Sequence, residues 1–202
     1  MKQHFLLITI LLLSLGIRAQ DNQAIFQMIE QAGSTITSME CDLVNTCVKS
    51  GQTRTKQGKL YYQANDKIGA YFDCGDYAIF NGNKVKIDIG IFHGTFRTNR
   101  ENLFSSLSNM LFCAIQGKCK PVADKSEYDY TLEAKGDTYR VNFNSRKQNS
   151  RGIGYRKVVF VYGKDDYRLR SLITTDFKGT TNTFSFSKLK YGCKIDSSKF
   201  KL

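Results

Sequence analysis

Side chains able to do covalent or acid–base chemistry are few in this chain, and their spacing suits turns better than an active site. Apart from His4 near the N-terminus there is one histidine, His93, in the run Ile91-Phe92-His93-Gly94, where a strand end or loop is expected. The nearest approaches to paired carboxylates are Asp73/Asp76 and Asp165-Asp166, and all four sit beside Gly75 or Gly163. Asp next to Gly is turn chemistry, with the carboxylate solvated or bonded to its own backbone. No HExxH, GxSxG, P-loop or Gly-rich dinucleotide turn is present. A Cys-His nucleophile would need an unpaired thiolate beside His93. With no CxxC and a single histidine beyond the first residues, neither a metal centre nor a cofactor is expected, and the chain does not read as an enzyme.

The six cysteines are Cys41, Cys47, Cys74, Cys113, Cys119 and Cys193. An even number in an exported chain favours disulfides. Cys41 and Cys47 lie six residues apart on one predicted strand, ~20 Å when extended, and cannot bond each other. Cys113 and Cys119 flank a predicted helix end, where a local bridge is feasible.

Export is read from the N-terminus. Met1-Lys2-Gln3-His4 is short and basic, the apolar run Phe5 to Leu15 is too short for a spanning helix, and Ile17-Arg18-Ala19 ends on a small residue. Residues 1–19 therefore read as a cleaved signal peptide, and residues 20–202 as one domain in the periplasm. No cysteine follows the apolar run closely, so lipidation is not expected. The full chain has 202 residues and a net charge of +12; removing Lys2 and Arg18 leaves 28 basic against 18 acidic residues, a charge of +10. A surplus of that size suits an anionic membrane, an acidic partner or nucleic acid, and export makes nucleic acid the least expected of the three.

Hydropathy periods supply the scaffold. Between Asp21 and Met39, Ile25, Met28, Ile29, Ala32 and Ile36 recur at helical spacing. Strands follow at 40–49 and 54–64 around Ser50-Gly51, at 68–73 and at 77–80, before the hairpin signal Asn81-Gly82. Val85, Ile87, Ile89 and Ile91 alternate with Lys84, Lys86, Asp88 and Gly90, the pattern of a half-buried strand. Leu103, Leu107, Met110, Leu111 and Ala114 stripe a second helix over 99–116, with Gly117 as its stop. Beyond Pro121 the chain reads as strands at 128–134, 139–143, 157–162, 168–177 and 181–189. About ten antiparallel strands with two helices make an α+β protein. Burying one face of so large a sheet calls for a strongly curved sheet, an incomplete barrel, with the helices on its concave side.

Two stretches carry a family resemblance. Gly58-Lys59-Leu60-Tyr61-Tyr62-Gln63-Ala64-Asn65-Asp66-Lys67 with Tyr71-Phe72 and Asn81-Gly82-Asn83-Lys84-Val85-Lys86-Ile87 resembles the first half of the sheet in LolA-type lipoprotein carriers. Phe184, Phe186, Leu189 and Ile195-Asp196-Ser197-Ser198-Lys199-Phe200 resemble its closing strand and short terminal segment. The resemblance implies a half-barrel with a helical lid and a cavity for acyl chains. Its sheet would be lined by Leu60, Tyr62, Ala64, Ile68, Ala70, Phe72, Val85 and Ile87; Leu103, Leu107, Met110 and Leu111 would face them from the lid. It also implies a monomer that takes lipoprotein acyl chains, or another lipid, from an inner-membrane releasing transporter to an outer-membrane acceptor. Members of that family latch the lid with the Arg of an Arg-Pro pair, where this chain has Ala64-Asn65. Ala64 cannot form those bonds, so a latch must be absent or moved. That departure admits a second reading, a LolA-fold sensor or scaffold that binds a lipid or partner without transporting it.

One basic stretch stands apart. Arg146, Lys147, Arg151, Arg156 and Lys157 crowd a polar connection between two strands, either a solvated hairpin loop or a docking patch for an anionic headgroup or acidic transporter surface.

Overall fold

The computed structural model of the chain describes residues 22–64, 66–97, 103–119, 128–146 and 154–202. The predicted signal peptide, Asn65, Lys147 and Arg151 lie outside the described residues, as does the side chain of Leu103.

Helix α1 (22–34) stops earlier than its apolar period suggests. The Ser34 and Thr35 hydroxyls donate to the carbonyls of Gln31 and Ala32, and β1 starts at Ser38, so Ile36 reaches the core from the turn after α1, its amide donating to the Gly33 carbonyl, and Met39 reaches it from β1. Strands β1 (Ser38–Lys49) and β2 (Gln52–Gln63) form a long hairpin. Its two turn residues, Ser50 and Gly51, both have positive φ, the geometry that matches the twist of the flanking strands. β3 (Lys67–Phe72), β4 (Tyr77–Asn81) and β5 (Lys84–Ile89) continue the meander. At Gly90, with φ of +60°, the alternation that the sequence carries on to Ile91 breaks. The chain turns back into a strand the hydropathy pattern did not predict, β6 (Phe92–Arg97), and Ile91 stands in the turn, 86% exposed.

Helix α2 (Leu103–Ile115) then leads to the second meander: β7 (Tyr128–Lys135), β8 (Thr138–Ser145), β9 (Tyr155–Gly163), β10 (Leu169–Asp176) and β11 (Thr181–Tyr191). Pairing of β11 with β1 joins both meanders into one antiparallel sheet of eleven strands, in the order β6-β5-β4-β3-β2-β1-β11-β10-β9-β8-β7. The sheet is open, its edges being β6 and β7. These edge strands are consecutive along the chain, so the segment between them, which contains α2, has to pass from one edge to the other. One hydrophobic core collects Ile29 of α1, Met110, Leu111 and Ile115 of α2, Val85 and Ile87 near one edge and Val141 and Phe143 near the other. Strands so far apart in the sheet order share a core only if the sheet curves around the helices. Among the described residues no helix is long and apolar enough to cross a membrane.

A short 3-10 turn (Ser197–Phe200) closes the chain against the outer face of β3 and β4. Asp196 caps it by accepting from the Ser198 amide at 2.8 Å, and Phe200 is buried.

Candidate functional site

Register assembles the concave face in rows. Met39, Tyr62, Ile68, Phe80, Val85 and Phe96 pair in succession across β1 to β6, and Cys41, Leu60, Ala70, Ala78, Ile87 and Gly94 form the next row. In the other half Leu132, Val141, Phe160, Leu172 and Phe184 run across β7 to β11. Paired residues point to one side of a sheet, so each row is a band of apolar surface. Of the predicted lining, Leu60, Tyr62, Ile68, Ala70, Val85 and Ile87 are brought together on this face and buried, with Phe72 half-buried beside them. Ala64 falls beyond the end of β2, its amide donating to the Thr37 carbonyl. Met110 and Leu111 are buried against the same core, and Leu107 packs on its margin.

The β7–β11 half of the lining was absent from the sequence expectation. Its signal lay in Val141/Phe143 and in Val158/Phe160/Tyr162, but Val159 and Val161 make the last run uniformly apolar and conceal which side faces in. Asn45 continues the concave face beside Phe184, and its Nδ2 is buried with no hydrogen-bond partner among the described residues. It is a donor in reserve between Phe184 on β11 and Lys56 on β2, where the apolar rows give way to polar side chains.

Polar contacts fasten the C-terminal end of α2 from both halves of the sheet. Gln116 Nε2 donates to the Tyr62 hydroxyl at 2.9 Å, and the Tyr162 hydroxyl donates to the Ala114 carbonyl at 3.0 Å. Burial pushes both phenols above their ordinary pKa, so they act as neutral hydrogen-bonding groups. α1 crosses at the same place. A Cβ on Gly33 would lie 2.3 Å from the Gln116 carbonyl carbon, and one on Gly117 would lie 2.3 Å from the Ile29 oxygen. Gly117 also has φ of +67°, which suits the residue that ends a helix. Between α1 and β7 a pocket of about 440 Å³ opens beside this crossing, with Phe26, Tyr130, Glu30 and Cys119 in its wall. Phe26 meets Tyr130 edge to face at 5.5 Å.

Several of the reactive groups serve structure, the two buried thiols first. Burial pushes the Cys41 and Cys119 thiols up to about 12, the opposite of what a thiolate nucleophile needs. The structure joins none of the six cysteines in a disulfide, all six being described. His93 Nδ1 lies 2.6 Å from Asp88 Oδ1 on the outer face. Asp165 and Asp166 both hold Arg170, and Asp76 pairs with Lys56. These carboxylates are therefore ion-paired turn residues rather than merely solvated ones. Among the described residues no three His, Cys, Asp or Glu side chains cluster as a metal site. In the basic stretch Arg146 pairs with Asp129 across β7 and β8, Nε to Oδ1 at 2.8 Å, while Arg156 and Lys157 are exposed at the start of β9.

No protein-family model and no curated protein sequence matches this chain. Solved structures do. An uncharacterized conserved protein from Thermus thermophilus aligns over 90% of this chain and 94% of its own, with a TM-score of 0.52 at 10% identity. MucB aligns over 91% of this chain and 63% of its own, with a TM-score of 0.51 at 12% identity. A LolA superfamily protein, NE2245 from Nitrosomonas europaea, aligns over 89% and 97%, with a TM-score of 0.43 at 10% identity. What identities this low carry is architecture: an open antiparallel sheet wrapped around its helices.

Proposed function

We propose that this chain is an exported carrier of acyl chains, holding the lipid portion of lipoproteins or a related lipid between the concave sheet face and α2 without any chemical step. The observation that carries this reading is the set of apolar rows lining both halves of the sheet, β1 to β6 and β7 to β11, which share one core with α2. Leu60, Tyr62, Ile68, Ala70, Phe72, Val85 and Ile87 would form one wall, and Leu103, Leu107, Met110 and Leu111 the roof. The pocket beside α1, about 440 Å³ and within the range of small-ligand sites, would serve as an entrance if α1 moves.

The energetics favour a ligand that is held but released. Each buried methylene contributes about 0.8 kcal/mol, so a long acyl chain gains on the order of 10 kcal/mol on leaving water. Because the lining side chains are already buried against α2, entry must displace packed surface, and that cost lowers net affinity toward what handover requires. Release from an inner-membrane transporter and delivery to an outer-membrane acceptor would complete the carrier's cycle in a periplasm.

Leu107→Glu tests the assignment, since Leu107 sits at the margin of the core where a carboxylate can stay hydrated in the empty protein. The expected result is a folded variant with no uptake of a long-chain fatty acid in a displacement assay. Normal uptake by that folded variant would remove the roof from the site.

A further inference from the structure

The outer face of β3 to β6 carries a row of cations for which the interior has no use. Register sets Lys67, Asn81, Lys84 and Arg97 side by side across the four strands, each paired with the next. Their sequence neighbours Ile68, Phe80 and Val85 are buried on the concave side, so alternation turns the row outward. Strand spacing makes the row ~14 Å wide. Lys86 stands one step along the same face, 6.0 Å from the Tyr77 ring centre. The terminal 3-10 turn brings Lys199 to the same face: Asn81 Nδ2 donates to the Phe200 carbonyl at 3.0 Å, and Lys199 Nζ sits 5.1 Å above the Tyr61 ring. Among the described residues, Lys67, Lys84, Lys86, Arg97 and Lys199 have no carboxylate within ion-pair distance. The nearby acids are Asp88, occupied by His93, Asp66 in the turn before β3, Asp76, which pairs with Lys56 and meets the Gly90 amide, and Asp196, whose carboxyl pKa is lowered by its hydrogen bonds from Ser198 and in part by Lys199.

The same edge is apolar where the hairpin turns. β6 ends the sheet with all six residues exposed; Ile91 at the tip is 86% exposed and Phe92 is 59% exposed. A long exposed edge with apolar side chains is a liability in water unless something covers it. Lys84 and Arg97 stand at the open end of the β5–β6 hairpin, ~17 Å along the strands from Ile91 and Phe92 at its turn, with Lys86 between. A hairpin laid along a bilayer would set the cations against phosphates while its apolar tip enters the headgroup boundary, the chemistry of a membrane interface.

We infer that the β5–β6 edge docks on an anionic phospholipid surface, with Lys84, Lys86 and Arg97 against headgroup phosphates and Ile91 and Phe92 buried among the headgroups. The inference draws its purpose from the carrier reading, because it would lay the open β6 side of the sheet against the bilayer from which an acyl chain comes. Its physics is independent of that reading.

Co-sedimentation of the full chain with vesicles tests it, using phosphatidylcholine alone and phosphatidylcholine mixed with phosphatidylglycerol. The chain should bind the anionic vesicles, bind neutral ones far more weakly, and release as salt rises. Lys84→Glu/Arg97→Glu should weaken binding by more than about tenfold, since each cation near such a surface is worth roughly fivefold. Lys135→Glu/Lys178→Glu makes the same charge change at exposed positions on other parts of the sheet and should leave binding close to that of the parent. Ile91→Ser/Phe92→Ser should remove the part of the binding that resists salt. No binding to anionic vesicles, equal binding to neutral ones, or equal loss in both charge-reversed pairs would overturn the docking edge. The carrier reading fails separately: a Lys84→Glu/Arg97→Glu protein that loses vesicle binding yet takes up fatty acid from solution keeps the cavity, whereas failure of that uptake in the parent chain counts against the cavity and leaves the vesicle result standing.

Discussion

At the scale of single residues, some polar groups among the described residues hold the fold while others, such as the Asn45 amide on the concave face, lack a partner. Asp42 belongs to the first kind. Its hydrogen bond from Lys59, with Lys188 adding a second at 2.9 Å, pulls its pKa down to about 2. A carboxyl with a folded pKa below its unfolded value stabilises the fold above the unfolded pKa, and loses that effect as pH falls through the folded one. Asp42→Asn should therefore unfold more easily than the parent near neutrality, with the gap closing between about pH 4 and pH 2, as followed by denaturant titration at each pH. Asn45 belongs to the second. Replacing its buried, unpaired amide with Leu should raise the stability of the empty protein by about 1 kcal/mol, because the desolvated donor disappears. If that donor meets an acyl carbonyl, the same variant should bind fatty acid more weakly; affinity equal to the parent's would remove Asn45 from the site. Residues such as Leu60, Tyr62, Ile68 and Val85 were legible in the sequence because strict alternation fixes a side chain's face. The partners of Asp42 were not, since Lys188 arrives from a strand more than a hundred residues away.

At the scale of elements, α2 is placed by topology and held by its last turn. The chain must cross from the β6 edge to the β7 edge, and the hydroxyls of Tyr62 and Tyr162 grip the crossing from opposite halves of the sheet. These contacts sit in a different place from the Arg that the family resemblance would put at Ala64, and they depend on β2 and β9 facing one helix, which no local pattern reveals. Tyr162→Phe removes the hydroxyl donor from the Ala114 carbonyl, which keeps the Gly117 amide at 3.3 Å, and should cost about 1 kcal/mol, while speeding fatty-acid uptake in stopped-flow mixing if movement of α2 admits the ligand. Lower stability with an unchanged uptake rate would make the tyrosine structural only. Gly117→Ala should cost more than about 2 kcal/mol, because its Cβ would meet the Ile29 oxygen and the residue has positive φ. Most strands were legible from alternation and turn residues; β6 was not. Phe92-His93-Gly94-Thr95-Phe96-Arg97 lacks a clear two-residue period of burial because the strand is an exposed edge, and the apolar signal that reveals a strand comes from having something to pack against. The end of α1 was also misplaced, since Ile36 keeps the helical period while the Ser34 and Thr35 hydroxyls turn back on the helix and end it.

At the scale of the whole molecule, the curved sheet separates two surfaces. The inside is apolar and continuous; the outside of one half is cationic and ends in an apolar tip. On the carrier reading, this polarity would let a strongly basic chain be an oily container, and the proposed docking edge would orient that container toward anionic surfaces. Curvature itself was predictable from the count of strands against helices, while the joining of the two meanders through β1 and β11 was not, because it pairs segments from opposite ends of the chain. The central claim is that the interior holds an acyl chain. Native mass spectrometry of the protein exported to a periplasm and purified without detergent reads that directly. The account predicts added mass that matches acylated species, is removed by solvent extraction, and is absent from Leu107→Glu. A clean empty mass, with no uptake when long-chain fatty acid or an acylated lipoprotein is supplied, would contradict it and leave the concave face as ordinary core.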